Sequence, residues 1–201
     1  MTTPLFSTAY LPPIAYMATI CSHSQALIEV KETFAKQTYR NRAEIMTSGG
    51  VRTLSVPVIR NNHSRTEEVV IDYSERWNII HLRTIDAAYN ASPYYLYYRE
   101  GLKSILMNRY DHLIDLNEAL LHWLFSTMKT TCQITYTQDF QKEYPSDYRN
   151  TFSPKLPYPA DRFSPYYQVF SDRIPFTANL SIIDLLMNLG PESKDYLKSI
   201  T

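Results

Sequence analysis

The apolar positions change period near the middle of the chain, dividing it into a strand-rich first part and a helix-rich second part. Pro4 to Ala9 is an apolar run of strand length. Tyr10-Leu11-Pro12-Pro13 then leads into a helix ending near Ser22, because proline suits the first helical turn. Ala26 to Val30 is a second strand-length run and completes a β-α-β opening. Ala43 to Thr47 and Val51 to Val58 flank Ser48-Gly49-Gly50, whose glycines permit the positive φ of a tight turn, so the pair predicts a hairpin. Glu68 to Tyr73 adds one more strand.

From Ser74 the period becomes helical, with the serine placed to cap the first free amides. Trp77, Ile80, His81, Thr84, Ile85, Ala88 and Tyr89 fall on one stripe, and Pro93 ends the helix. A shorter helix from Glu100 to Asn108 follows, and Leu116, Leu120, Leu121, Leu124 and Met128 mark Leu113 to Met128 as a core helix. Residues 132 to 136 predict a last strand, Ser181 with Asp184 a capping-box variant opening a helix, and Pro191 the start of another. The stretch from Lys142 to Phe176 has little periodicity and half of the prolines, yet it carries Tyr148, Phe152, Tyr158, Phe163 and Tyr166. So much apolar ring area gains by packing, which predicts a long ordered loop with a short helix inside it, placed as a lid. The expected fold is α/β: a single domain over residues 1–201 with a β-α-β opening, a small mixed sheet including the hairpin, and a helical C-terminal half with the aromatic-rich loop.

Composition narrows the function classes. With 20 basic and 20 acidic residues the chain has no net charge, which disfavours nucleic acid as a partner. No stretch approaches the roughly 18 apolar residues of a spanning helix and the first residues lack a signal-peptide pattern, so a cytoplasmic location without membrane insertion is expected. Cys21 and Cys132 match neither a disulfide framework nor a metal motif, and neither metal nor cofactor is expected. Seventeen tyrosines suit either a ligand pocket or a packed interface.

Between Lys36 and Arg65 lie Lys36, Arg40, Arg42, Arg52, Arg60 and Arg65 against the lone acid Glu44. Within this patch Tyr39-Arg40-Asn41-Arg42 is the sharpest element. In an extended chain Arg40 and Arg42 share a face about 6–7 Å apart, where they either clamp a phosphate or carboxylate or form a solvated strand edge. His81 is the candidate acid-base residue, with a satisfied core histidine as its alternative. Asn117 and Asn179 lie beside strongly apolar patterns and bridge backbone segments or reach a ligand.

In order along the chain, Tyr10-Leu11-Pro12, Tyr39-Arg40-Asn41-Arg42, Leu54-Ser55-Val56-Pro57-Val58, Ile71-Asp72 with Ser74 and Trp77, His81-Leu82-Arg83-Thr84-Ile85, Ala88-Tyr89, Ser92-Pro93-Tyr94 and Leu116-Asn117 resemble the WbqC-like family. Members often accompany bacterial O-antigen and surface-polysaccharide genes. The resemblance implies a glycyl- or acyltransferase acting on a nucleotide-activated amino sugar, with His81 catalytic and Tyr10, Tyr39, Arg40, Asn41, Arg42, Trp77, Asn117 and Asn179 binding the sugar substrate. Many members open with His-Gln-Pro-Asn, where this chain has Phe6-Ser7-Thr8-Ala9. That departure leaves a non-catalytic binding or scaffolding subunit as the rival reading.

Overall fold

The computed structural model describes residues 2–156 and 158–200. Its first unit is the expected β-α-β: strand β1 (Leu5–Ser7), helix α1 (Ile14–Cys21) and strand β2 (Gln25–Glu29), with Leu5, Phe6 and Ser7 pairing in parallel with Leu27, Ile28 and Glu29. Helix α1 is buried on nearly every side, as its apolar sequence from Ile14 to Ile20 demands. Pro13 precedes it in an extended conformation and gives it no side-chain cap. Its first amides are satisfied from far along the chain instead: Ile14 N–H donates to the Leu180 carbonyl at 3.0 Å and Ala15 N–H to Asn179 Oδ1 at 2.9 Å.

The hairpin forms between β3 (Arg42–Thr47) and β4 (Gly50–Ser55), in register from Arg42 opposite Ser55 to Thr47 opposite Gly50. It stands as its own two-stranded ladder and does not join the parallel sheet. The run to Val58 is broken because Pro57 has no N–H to continue a ladder. Val58–Ile59 (β5) pairs with Val70–Ile71 (β6) in another two-stranded ladder, and the expected strand from Glu68 shortens because Thr66–Glu68 is a 3-10 turn.

Helix α2 (Trp77–Tyr89) begins later than Ser74, which lies outside it. The Ser74 N–H is taken by Asp72 Oδ1 at 2.8 Å, a local turn that competes with helix initiation. Helix α3 (Tyr95–Met107) is longer than expected, because its tyrosine-rich start obscures a buried stripe of Tyr95, Leu102 and Leu106. Helix α4 (Leu113–Met128) matches its expected bounds. Strand β7 (Gln133–Tyr136) pairs in parallel with β2, and residues 146–148 flank β1 through Leu5 N–H to Ser146 O and Tyr148 N–H to Leu5 O, both 2.8 Å. The last helices are α5 (Ile182–Leu189), whose Ser181 side chain accepts from Ile183 N–H, and α6 (Ser193–Ser199). The architecture is α/β with a helical C-terminal half, and one contiguous apolar cluster runs through it from Phe6 to Ile200.

The stretch from 142 to 176 is packed, with a 3-10 turn at Ala160–Arg162. Tyr148 stacks on Phe6 at 5.0 Å, Phe152 meets Tyr16 edge-on at 5.5 Å, and Tyr166 meets Tyr196 at 5.3 Å. Its aromatics therefore cover β1, α1 and α6.

Candidate functional site

Helix α2 carries His81 inward. Its Nδ1 lies 2.9 Å from the hydroxyl of Tyr10, and its ring meets Trp77 edge-on with centroids 5.2 Å apart. The residue is only 4% exposed, and burial pushes its pKa down to about 4, aided by the positive charge of Arg52 and opposed by hydrogen bonding to the Ser55 backbone. At neutral pH the imidazole is neutral, and burial holds the Tyr10 phenol well above the usual tyrosine range, so it stays protonated. These are the surroundings of a histidine satisfied within the core: a base of pKa near 4, with its Nδ1 engaged, is poorly matched to proton transfer at pH 7. The Trp77 indole Nε1 is buried without a hydrogen-bond partner.

The expected clamp of Arg40 and Arg42 does not form. Tyr39 and Arg40 lie in a turn, so the side-by-side spacing of an extended chain is absent, and β3 begins only at Arg42. Arg40 is 3% exposed and ion-paired with Glu32, with Nε and Nη2 donating to Oε1 at 2.8 and 2.6 Å. Releasing a buried guanidinium from its carboxylate to take up a phosphate would leave a buried charge unpaired, so this arginine is structural. Arg42 has its Nε buried without a partner. Tyr39 donates its hydroxyl to Glu44 Oε2 at 2.9 Å, and Asn41 donates Nδ2 to the Val56 carbonyl at 2.8 Å.

Both singled-out asparagines bridge backbone. Asn117 donates Nδ2 to Thr8 Oγ1 at 3.0 Å and to the Arg40 carbonyl at 2.8 Å, tying the exit of β1 to the Tyr39–Arg40 turn. Asn179, with φ of 56°, uses its side chain on α1 as described above. Phe6, Ser7, Thr8 and Ala9 are all buried, and the space beside Thr8 and Asn117 is only about 10 Å³, roughly one water.

The open space lies on the outer side of α2. A groove of about 530 Å³ runs between the hairpin tip and this helix, with Thr47, Ser48, Gly49 and Arg52 on one wall and Ile80, Arg83, Thr84 and Ala87 on the other. Arg52 and Arg83 are both exposed, and neither has an ion pair or side-chain hydrogen bond among the described residues. Two unneutralised guanidiniums and the Ser48 hydroxyl give the groove a positive, donor-bearing surface suited to an anion, while the Thr84 hydroxyl is committed to the Ile80 carbonyl at 2.8 Å. His81 packs behind it, close enough for Arg52 to act on its acidity. Tyr10 and Trp77 pack against His81 behind the groove and do not line it, and the 142–176 loop contributes no lining residue either.

Sequence reasoning missed this pair. The signal was present: Ile80, Arg83, Thr84 and Ala87 recur at three- and four-residue spacing on the face adjoining that of Trp77, His81 and Ile85. Arg83 stands inside the His81 to Ile85 motif, and Arg52 belongs to the basic patch. Three members assigned to the buried stripe line the groove, Ile80 and Thr84 from its open side and the buried Ala88 at its floor. Among the described residues, no three His, Cys, Asp or Glu side chains gather as metal ligands.

Fold and groove thus define an α/β protein with an arginine-lined groove beside a buried histidine node. The chain belongs to the WbqC-like protein family, whose model matches residues 8–151 and so takes in the hairpin, α2 and α4. It is similar to the uncharacterized protein Rv1507c of Mycobacterium tuberculosis (strain ATCC 25618 / H37Rv), at 25% identity over 221 residues, covering 94% of each chain. No solved structure matches this chain. Among the described residues, no helix is long and apolar enough to cross a membrane.

Proposed function

We propose that this chain binds a phosphate-bearing sugar, in the first instance a nucleotide-activated amino sugar used in bacterial surface-polysaccharide synthesis, in the groove between the hairpin tip and α2. One observation carries the reading: Arg52 and Arg83 face a common 530 Å³ groove without a counter-charge, a volume that suits a ligand of that size. The guanidiniums support the phosphate, and the resemblance to a family often found beside surface-polysaccharide genes supports the sugar. His81 acts as a positioning residue, neutral and buried, which holds the wall that carries Arg52.

Binding without chemistry is favoured over glycyl or acyl transfer by one further fact. The groove is lined by Thr47, Ser48, Gly49, Arg52, Ile80, Arg83, Thr84 and alanines, with no carboxylate, imidazole, thiol or amine to move a proton. Transfer would need that group from the ligand or from a partner protein.

A thermal-shift panel of uridine- and thymidine-diphosphate amino sugars tests the reading, with the unphosphorylated amino sugars alongside. Nucleotide sugars are expected to raise the melting temperature of the wild type and not of the Arg52→Ala/Arg83→Ala variant, while unphosphorylated sugars do nothing. Equal shifts in both proteins, or no shift in either, would sink it.

A further inference from the structure

We propose a second site, separate from the hairpin groove, at the carboxyl ends of the parallel strands: a cleft centred on Glu32 that binds a small zwitterion with an apolar body, as a free α-amino acid presents. The cleft measures about 360 Å³ and shares no lining residue with the hairpin groove. Its walls come from three chain exits at one end of the sheet: Glu32 and Thr33 after β2, Phe140 and Lys142 after β7, and Asn150 after the 146–148 segment beside β1. The loops beyond the carboxyl ends of parallel strands are the part of an α/β sheet where ligands bind.

The bonding around the cleft separates occupied groups from free ones. Arg149, 5% exposed, is fully engaged: Nε donates to Asp147 Oδ1 at 2.9 Å, Nη1 to the Gln141 carbonyl at 2.8 Å, and Nη2 to Asp147 Oδ2 at 2.5 Å and the Lys142 carbonyl at 3.2 Å. It also faces Glu29 Oε2 at 3.4 Å. Lys31 is held by Glu67 at 2.7 Å. Both Arg40 bonds to Glu32 fall on Oε1, which leaves Oε2 without a partner among the described residues on a side chain that is 13% exposed. The Lys142 ammonium and the Asn150 amide are likewise unpaired among the described residues.

One unpartnered carboxylate oxygen and one free cation therefore face a common cleft, beside the Phe140 ring, which is 52% exposed. A purely anionic ligand would meet Glu32 and a purely cationic one Lys142. A zwitterion satisfies both, with its ammonium on Glu32 Oε2, its carboxylate on Lys142 and its apolar body on Phe140. Arg40 orients the acceptor by fixing the other oxygen. Burial pushes the Glu32 carboxyl above its ordinary range, with Arg40 opposing, so a ligand ammonium relieves a carboxylate that its surroundings leave under-solvated.

Nitrogen-15 chemical-shift mapping with L-phenylalanine, its amide and 3-phenylpropanoate tests the site. L-Phenylalanine is expected to move amides in 31–33, 140–142 and 149–150 and to leave 47–52 and 83–87 unmoved. The two analogues, each lacking one charge, should bind at least tenfold more weakly. Glu32→Gln should weaken binding at least tenfold. Because that change also disturbs the buried Arg40, the exposed Lys142→Ala is the second variant and should weaken the amino acid several-fold while leaving the weak binding of the amide unchanged. No perturbation by L-phenylalanine, perturbation elsewhere, equal binding of 3-phenylpropanoate, or indifference to Lys142→Ala would each overturn the proposal. None of these outcomes depends on whether the hairpin groove takes a sugar.

Discussion

Arg83 and Asp86 stand three residues apart on α2 and meet opposite fates. Asp86 is claimed by Arg99 at 2.9 Å and by the Tyr95 hydroxyl at 2.6 Å, whereas Arg83 is left facing the groove unpaired. Spacing alone could not distinguish them, since the partner of Asp86 comes from the next helix. His81 shows the same limit: its place on an apolar stripe was legible, but its satisfaction by Tyr10, 71 residues away, was not. Removing the Tyr10 hydroxyl with Tyr10→Phe strands the buried imidazole nitrogen and should cost about 1–3 kcal/mol in urea unfolding. Unfolded His81 takes up its proton near pH 6.5 and the folded residue only near pH 4, so the unfolded state binds more protons in that window. Stability therefore falls as pH drops from 6.5 to 4, by an amount on the order of 3 kcal/mol from this group. The stability difference between wild type and His81→Gln should accordingly shrink across that window. A difference that stays constant from pH 7 to pH 4 would contradict a neutral, buried His81.

At the scale of elements, α5 and the long aromatic stretch are joined by one carboxylate. Asp184 is fully buried and accepts from the Tyr89 hydroxyl at 2.9 Å, the Tyr166 hydroxyl at 2.5 Å and Gln168 Nε2 at 3.0 Å. Burial raises its pKa, and the three donors oppose the shift. The capping-box pattern placed Ser181 correctly, and Asp184, read there as its acidic member, serves this network instead. Asp184→Asn puts an amide where three donors converge, and should cost about 1–3 kcal/mol while exposing 160–176 to limited proteolysis. Cleavage rates equal to the wild type would contradict the network as the tie that holds this stretch. Gly190 follows α5 at φ of 56°, and an added Cβ would lie 2.5 Å from the Tyr94 ring, so Gly190→Ala should lower the melting temperature by several degrees. Elements with one uninterrupted period, such as α4, were legible to the residue. Those missed in part were broken by a single local competitor: Pro57 in the hairpin, Asp72 before α2, and the tyrosines opening α3.

Across the whole molecule, the parallel sheet and the hairpin are tied through buried polar bonds that no local pattern encodes. Asn117 joins Thr8 to the Arg40 turn, Arg40 joins that turn to Glu32, and Arg149 binds the segment before residue 149 to Glu29. The order of motifs revealed the family, yet Arg40, the best-placed arginine of its clamp motif, serves this framework. The exposed Arg52 and Arg83, with no counter-charge, mark the groove. Arg149→Met would leave Glu29, which has no exposed surface, without its cationic partner, and should cost about 3–5 kcal/mol in denaturant unfolding. The central claim concerns Arg52 and Arg83 as an anion site, and calorimetric titration of a nucleotide-diphosphate amino sugar at low and at physiological salt tests it most directly. The wild type should bind with an affinity that falls as salt rises, and each arginine-to-alanine change should weaken it about tenfold, roughly 1.4 kcal/mol, while flattening the salt dependence. Binding that is indifferent to both substitutions and to salt would contradict the account.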